Sequence, residues 1–309
     1  MKIAIMGSGG VGGFFGGRLA ASGANVSFIA RGAHLAALRK HGLKIESSLG
    51  NILVRPVHAT DDPASIGIVD LVFLAVKLWD IEGAALAVKP LIGPHTGIIP
   101  LQNGVDAVNV LLSRYPPEHV MGGVAHIAAA IESPGVIRHS GAMQKLTFGE
   151  LDGRHSQRAE QLFDACQAAG IDAILSDAIQ VVIWEKFVFL SAFSGITALT
   201  RLPIGPLRAD PETRALFLAA MQEAAAVGRA QGIRLSPDCA DRQLAFCDKL
   251  PPEMISSMLG DLRNGNRLEL AWLSGAVQRI GREMGVATPV SSLIYTALKL
   301  HAAGQASAF

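Results

Sequence analysis

Gly7-Ser8-Gly9-Gly10-Val11-Gly12 is the first place in this chain where residue type and spacing could do chemistry. These six residues follow an apolar run, Lys2–Met6, and open a stretch of helical length, Gly12–Ser22. Taken alone the pattern is a glycine-rich turn. Set between a strand and a helix at the head of the chain, with another apolar run starting at Asn25, it predicts dinucleotide binding. Gly7 permits the tight turn, Gly9 leaves room for a pyrophosphate, and Gly12 lets helix and strand approach closely. The first N–H groups of the helix then face phosphate oxygens.

The second apolar run ends at Ile29-Ala30-Arg31. An Asp or Glu at this place would hold ribose hydroxyls, but no carboxylate occurs between Gly7 and Glu46. A guanidinium suits a dianionic 2′-phosphate, so Arg31 predicts NADP(H), the plainer reading being an exposed arginine. Lys77 and Asn103-Gly104 end two further apolar runs. Ligands of open parallel sheets lie beyond the carboxyl ends of the strands, so both residues are expected at the rim that takes the nicotinamide half. Singly, Lys77 is also a solvated strand end and Asn-Gly a common turn.

Lys186 lies in an apolar helical segment, with Val182, Ile183, Phe189 and Leu190 three and four residues away. A lysine so placed must snorkel, pair or face a cavity, and desolvation would lower its pKa and ease proton delivery. Glu185 beside it offers a plain structural partner. Glu269 shares an apolar helical face with Trp272 and Leu273, and a carboxylate in a first turn is also favoured by the helix dipole. An ammonium and a carboxylate from two helices would do acid–base work if both faced a nicotinamide.

The elements that must position these residues fall into two halves. Lys2–Met6, Asn25–Ala30, Val69–Val76 and Gly97–Leu101 are continuous apolar runs, as strands covered on both faces should be. Gly12–Ser22 and Ile81–Leu91 between them suit crossover helices. Leu43–Ser47 with Ile52–Val57, and Gly122–Ala130 with Leu146–Gly149, read as antiparallel hairpins attached to that sheet. Beyond Asp177 only helical segments remain: Ile179–Phe193, Glu212–Gln231, Pro237–Asp248 and Glu269–Met284. The fold expected is α/β, with a Rossmann-type doubly wound sheet over residues 1–177 and an all-α substrate and catalytic domain over 178–309.

With these residues in place the sequence resembles the ketopantoate reductase (2-dehydropantoate 2-reductase) family along essentially its whole length. The likeness rests on the Gly7–Gly12 loop with Arg31, Leu74-Ala75-Val76-Lys77 and Leu101-Gln102-Asn103-Gly104. Further on it rests on Trp184-Glu185-Lys186 and on Ser256-Ser257-Met258 with Asp261 and Glu269. The resemblance implies hydride transfer from NADPH to the ketone of 2-dehydropantoate. It makes Lys186 the proton donor and puts Lys77 and Asn103 near the nicotinamide and ribose, Asn103 also touching substrate. Ala128 becomes a backbone contact to cofactor, Ser257 a substrate contact, and Glu269 a contact to cofactor or substrate hydroxyl. The sequence departs from the family in carrying Leu190 and Ser194 where two substrate-gripping asparagines usually stand, and Leu268 for the usual threonine. Losing an amide removes hydrogen-bonding capacity at the pocket wall, which leaves room for a paralogue acting on a more apolar 2-oxo acid.

Composition narrows the rest. Of 309 residues half are apolar, 17% are charged and the net charge is +1, which argues against a polyanionic partner such as nucleic acid. The runs are too short for a membrane span, and three cysteines without CxxC spacing suit a reducing cytoplasm and no metal site. The expected partner is a small 2-oxo acid, and a homodimer is compatible with the helical half. A non-catalytic NADPH-binding regulatory protein and a hydroxyacid dehydrogenase are the rival readings.

Overall fold

The computed structural model describes residues 1–304. In chain order the first half contains β1 (Lys2–Met6), α1 (Gly10–Ala21), β2 (Asn25–Ile29), α2 (Gly32–His41), β3 (Leu43–Ser47), β4 (Ile52–Val54), β5 (His58–Thr60), β6 (Val69–Leu74), α3 (Ile81–Ala87), β7 (Ile92–Pro100), α4 (Asp106–Leu112), β8 (Met121–Ser133), β9 (Val136–Glu150), α5 (Gln157–Ala168) and β10 (Asp172–Leu175). The second half is helical: α6 (Ile179–Thr200), α7 (Ile204–Ala209), α8 (Pro211–Ala230), α9 (Cys239–Cys247), α10 (Ser257–Arg263), α11 (Ser274–Met284) and α12 (Pro289–Leu298).

One sheet is wholly parallel, in the order β5-β2-β1-β6-β7. The chain leaves β1 for β2 on one side and later crosses to β6 on the other, so the strand order reverses at β1 and β6. Crevices at such a reversal take the ligands of open α/β sheets. Ile3, Ile5, Phe28, Leu71 and Phe73 are fully or almost fully buried, which accounts for the unbroken apolar runs in the sequence.

The expected hairpins do form, but not as attachments to this sheet. They build a second sheet, β10-β9-β3-β4, with β8 antiparallel to β9. Its organiser is β9: Lys44–Ser47 of β3 pair parallel with Val136–His139, and Asp172–Leu175 of β10 pair parallel with Lys145–Phe148. Those pairings join segments far apart in sequence, which local patterning cannot reveal.

Contacts divide the described chain into two compact units. One comprises residues 1–102 and 107–179, and the other comprises Asn103–Asp106 together with the chain from Gln180 onward. Each has its own core, Phe14, Phe15, Phe28 and Phe148 belonging to the first and Trp184, Phe187, Phe217 and Leu270 to the second. The expected helix Ile179–Phe193 continues to Thr200. Helix α6 is also the one described helix long and apolar enough to cross a membrane, although 61% of its most apolar window is buried inside the protein. The expected helix Glu269–Met284 is broken. Leu270–Trp272 form a 3₁₀ turn, Leu273 is non-helical (φ −110°, ψ −102°), and the α-helix starts at Ser274. Glu269 therefore precedes the helix instead of occupying its first turn, and the helix dipole does not explain it.

Candidate active site

The glycine loop is built as its spacing predicts. Gly7 has φ +96°, and a Cβ there would lie 2.8 Å from the backbone of Ala75, where the loops after β1 and β6 meet. A Cβ on Gly12 would lie 2.2 Å from the Gly7 carbonyl, so helix and strand touch there. Around Gly9 nothing lies within 4 Å of such an atom, which leaves open space beside the first turn of α1. That turn has no side-chain cap, so its leading N–H groups remain for an anion. This is a cradle that fits a dinucleotide pyrophosphate, with Gly10 and Val11 supplying the first helical amides. Ser8 does something else. Its amide and hydroxyl both donate to the Ile29 carbonyl, at 3.3 and 3.0 Å, so it ties the loop to the end of β2. Arg31 is exposed at the start of α2, two residues beyond the end of β2 at Ile29.

Ala128 is exposed on β8, where the register with β9 slips between Ile127 and Ala129. The bulge pushes backbone toward the loop: a Cβ on Gly10 would lie 2.1 Å from the Ala129 carbonyl oxygen. At the rim, Lys77 is exposed with its ammonium 5.6 Å from the Trp79 ring centroid. Gln102, whose type and position in the sequence point to no role, donates through Nε2 to the carbonyls of Leu74 (2.9 Å) and Val76 (3.1 Å). It fixes the chain leading from β6 toward Lys77.

The helical unit holds the titratable groups. Lys186, on α6, is partly buried and donates from Nζ to Asn103 Oδ1 at 2.9 Å. Burial lowers the Lys186 pKa from 10.5 to about 8, while Glu269 pulls it the other way by stabilising the ammonium. Glu269 itself is 6% exposed. Glu185 is not the partner of Lys186; it accepts from Arg242 at 2.7 Å. The segment bearing Asn103 is tied to the same unit twice more. Val105 joins the helical core, and Asp106 accepts from Arg279 of α11 at 2.6 Å. Nothing in the spacing of the sequence links a residue after β7 to one on α11, so only the structure shows this ion pair.

Leu190 and Ser194 follow Lys186 at one and two turns, on the same face of α6. Leu190 packs against the helical core. Ser194 is fully buried, and its hydroxyl has no hydrogen-bond partner among the described residues. Ser257 is exposed at the first position of α10, whereas its buried neighbour Ser256 caps that helix and meets the Thr197 hydroxyl at 2.7 Å. Lys186, Asn103 and Glu269 are thus brought together in one unit, while the glycine loop, Arg31, Lys77 and Ala128 belong to the other.

A doubly wound sheet whose first strand runs through this glycine loop into a helix is the architecture of a dinucleotide-binding protein. Residues 3–153 match the family model described as ketopantoate reductase PanE/ApbA, and residues 178–302 match its C-terminal counterpart. The chain belongs to the ketopantoate reductase family. It is 34% identical to a 2-dehydropantoate 2-reductase of Mesorhizobium japonicum over 94% of both chains. It is 32% identical to the uncharacterized oxidoreductase YkpB of Bacillus subtilis over 98% of this chain and 99% of that one. Among solved structures, a PanE/ApbA family ketopantoate reductase from Ralstonia eutropha superposes with a TM-score of 0.88 at 32% identity, covering 97% and 98% of the two chains. A D-mandelate dehydrogenase in complex with NADH superposes with a TM-score of 0.85 at 25% identity, covering 97% and 98%.

Proposed function

We propose that this protein reduces the ketone of a small 2-oxo acid with NADPH, and that 2-dehydropantoate is the substrate to test first. The observation that carries the reading is Lys186: a partly buried ammonium, held by Asn103 Oδ1, with a pKa lowered to about 8 beside the buried carboxylate of Glu269. A general acid works best when its pKa lies near the operating pH. Lys186 delivers its Nζ proton to the carbonyl oxygen as that oxygen gains negative charge, and the C=O becomes CH–OH. NADPH, when bound, supplies the hydride. Asn103 Oδ1 orients the amine, and Glu269 holds it charged for the transfer.

The first-turn amides of α1, with Gly9 open beside them, would hold the pyrophosphate. Arg31 would hold the 2′-phosphate, the feature that favours NADPH over NADH. Lys77 and the Ala128 backbone would meet the nicotinamide half. The Ser257 hydroxyl, exposed on α10, and the Ser194 hydroxyl, fully buried on α6 with no hydrogen-bond partner among the described residues, are the polar groups proposed to meet substrate.

Leu190 supports a second reading, a reductase of a more apolar 2-oxo acid, because a leucine one turn from Lys186 offers no hydrogen bond to a polar substrate end. Oxidation of NADPH is followed with 2-dehydropantoate and with branched-chain and aromatic 2-oxo acids, using the wild type and Leu190→Asn. Higher kcat/KM on 2-dehydropantoate supports the first reading. Higher kcat/KM on the apolar acids, reversed by Leu190→Asn, supports the second. Tight NADPH binding with no turnover on any member would overturn both.

A further inference from the structure

We infer that His34 is a positioning residue for the cofactor cradle, a role that rests on reading the glycine loop as the dinucleotide site. His34 lies on the first turn of α2, and its two ring nitrogens are both engaged. The Gly135 N–H points at Nδ1 from 3.1 Å, and Nε2 lies 2.9 Å from the Ser8 carbonyl oxygen. Because an N–H donates to Nδ1, that nitrogen carries no proton. Nε2 must then bear it and donate to Ser8. Burial lowers the pKa of His34, which favours this neutral tautomer, against an opposing pull from the Ser8 carbonyl.

The ring is itself held at the far end. Gly135 forms the turn between β8 and β9 with φ +83°, and its carbonyl accepts from Lys44 N–H at 2.9 Å. The β8–β9 hairpin therefore braces the glycine loop at two points: directly, where the Ala129 carbonyl lies against Gly10, and through the imidazole onto Ser8. Ser8 is in turn tied by its amide and hydroxyl to Ile29. Its carbonyl is the remaining polar group, and His34 takes it. With Ser8 fixed at all three groups, the next peptides, Gly9 and Gly10, present their geometry without having to be ordered by the ligand.

Two variants separate the ends of the strut. The amide nitrogen of His34→Gln reaches about as far as Nε2 and retains the bond to Ser8. The amide oxygen of His34→Asn stands near Nδ1 and retains only the bond to Gly135. Dissociation constants for NADPH are measured by fluorescence on the full chain, with melting temperatures and kcat at saturating cofactor recorded alongside. The expected result is a Kd within about twofold of wild type for Gln and raised about fivefold or more for Asn, the size of one neutral hydrogen bond. Melting temperatures of the two variants should match. Equal Kd values in the two variants, whether both normal or both weakened, or a weaker Gln than Asn, would overturn the inference. Wild-type protein that binds neither NADPH nor NADH would overturn the dinucleotide reading itself, and this inference with it.

Discussion

Lys186 makes a quantitative demand on the pH profile. Lowering its pKa from 10.5 to about 8 means that the site disfavours the charged amine by roughly 3 kcal/mol, even after the attraction of Glu269 is counted. At pH 7 about nine-tenths of the molecules carry the ammonium, and at pH 9 about one-tenth do. The proposed reduction consumes that proton, so log kcat/KM for the 2-oxo acid should be flat below about pH 7.5. Above about pH 8 it should fall, approaching tenfold per pH unit. An ordinary lysine would keep the plateau to beyond pH 10. Glu269→Gln removes the charge that favours the ammonium, so the falling limb should move toward acid by roughly one pH unit. Lys186→Ala should lower kcat by about 10²–10⁴ while leaving NADPH binding intact. The fall cannot be ascribed to unfolding through this group. Between pH 8 and 10.5 the unfolded chain binds the extra proton, so Lys186 contributes stability as pH rises through that window. Initial rates at saturating NADPH from pH 6 to 10, with circular dichroism at each pH, make the assay. A plateau extending to pH 9.5, or a limb in Glu269→Gln that moves toward alkali, would refute the reasoning.

Arg31→Gln should raise KM for NADPH by about 10–100-fold, the loss of a charge-assisted contact, while KM for NADH changes little; steady-state kinetics with both cofactors checks it. Gly12→Ala forces a Cβ to within 2.2 Å of the Gly7 carbonyl and should cost about 1–3 kcal/mol, read as a melting temperature lower by several degrees. Arg279→Met removes the partner of Asp106, loosens the segment that positions the amine, and should lower kcat several-fold with a smaller effect on KM for the 2-oxo acid. Arg279→Lys, which keeps the charge, should restore part of that loss.

The parallel sheet was legible because burial on both faces writes continuous apolar runs, and β1, β2 and β6 begin where those runs begin. Helices α2 and α5 were not, because each buries only a narrow stripe. Leu35 and Leu38 of α2, and Ala159, Leu162 and Cys166 of α5, leave sequences rich in charge and alanine. The break at Leu273 carries no glycine or proline to announce it, and it moved Glu269 out of the helix expected to hold it. Lys186 and Glu269 were legible as charged residues among apolar ones. The hydrogen bond from Lys186 to Asn103 was not, since it closes over 83 residues between a loop and a helix. Nor was His34, because its role depends on the turn at Gly135 that meets it 101 residues later.

The placement of Asn103 bears on how the proposed acid is tuned. By sequence it follows the last strand of the parallel sheet, yet its contacts belong to the helical unit, through Val105 in that unit's core and Asp106 on Arg279. Its amide oxygen accepts from Nζ at 2.9 Å and so orients the amine. The choice of state is left to two opposed effects, burial against the charge and Glu269 for it, whose balance falls at about 8. Geometry and acidity are thereby set by different residues of one unit. Changes at Arg279 or Asp106 should disturb the position of the amine and leave the pH limb where it is, and changes at Glu269 should move the limb.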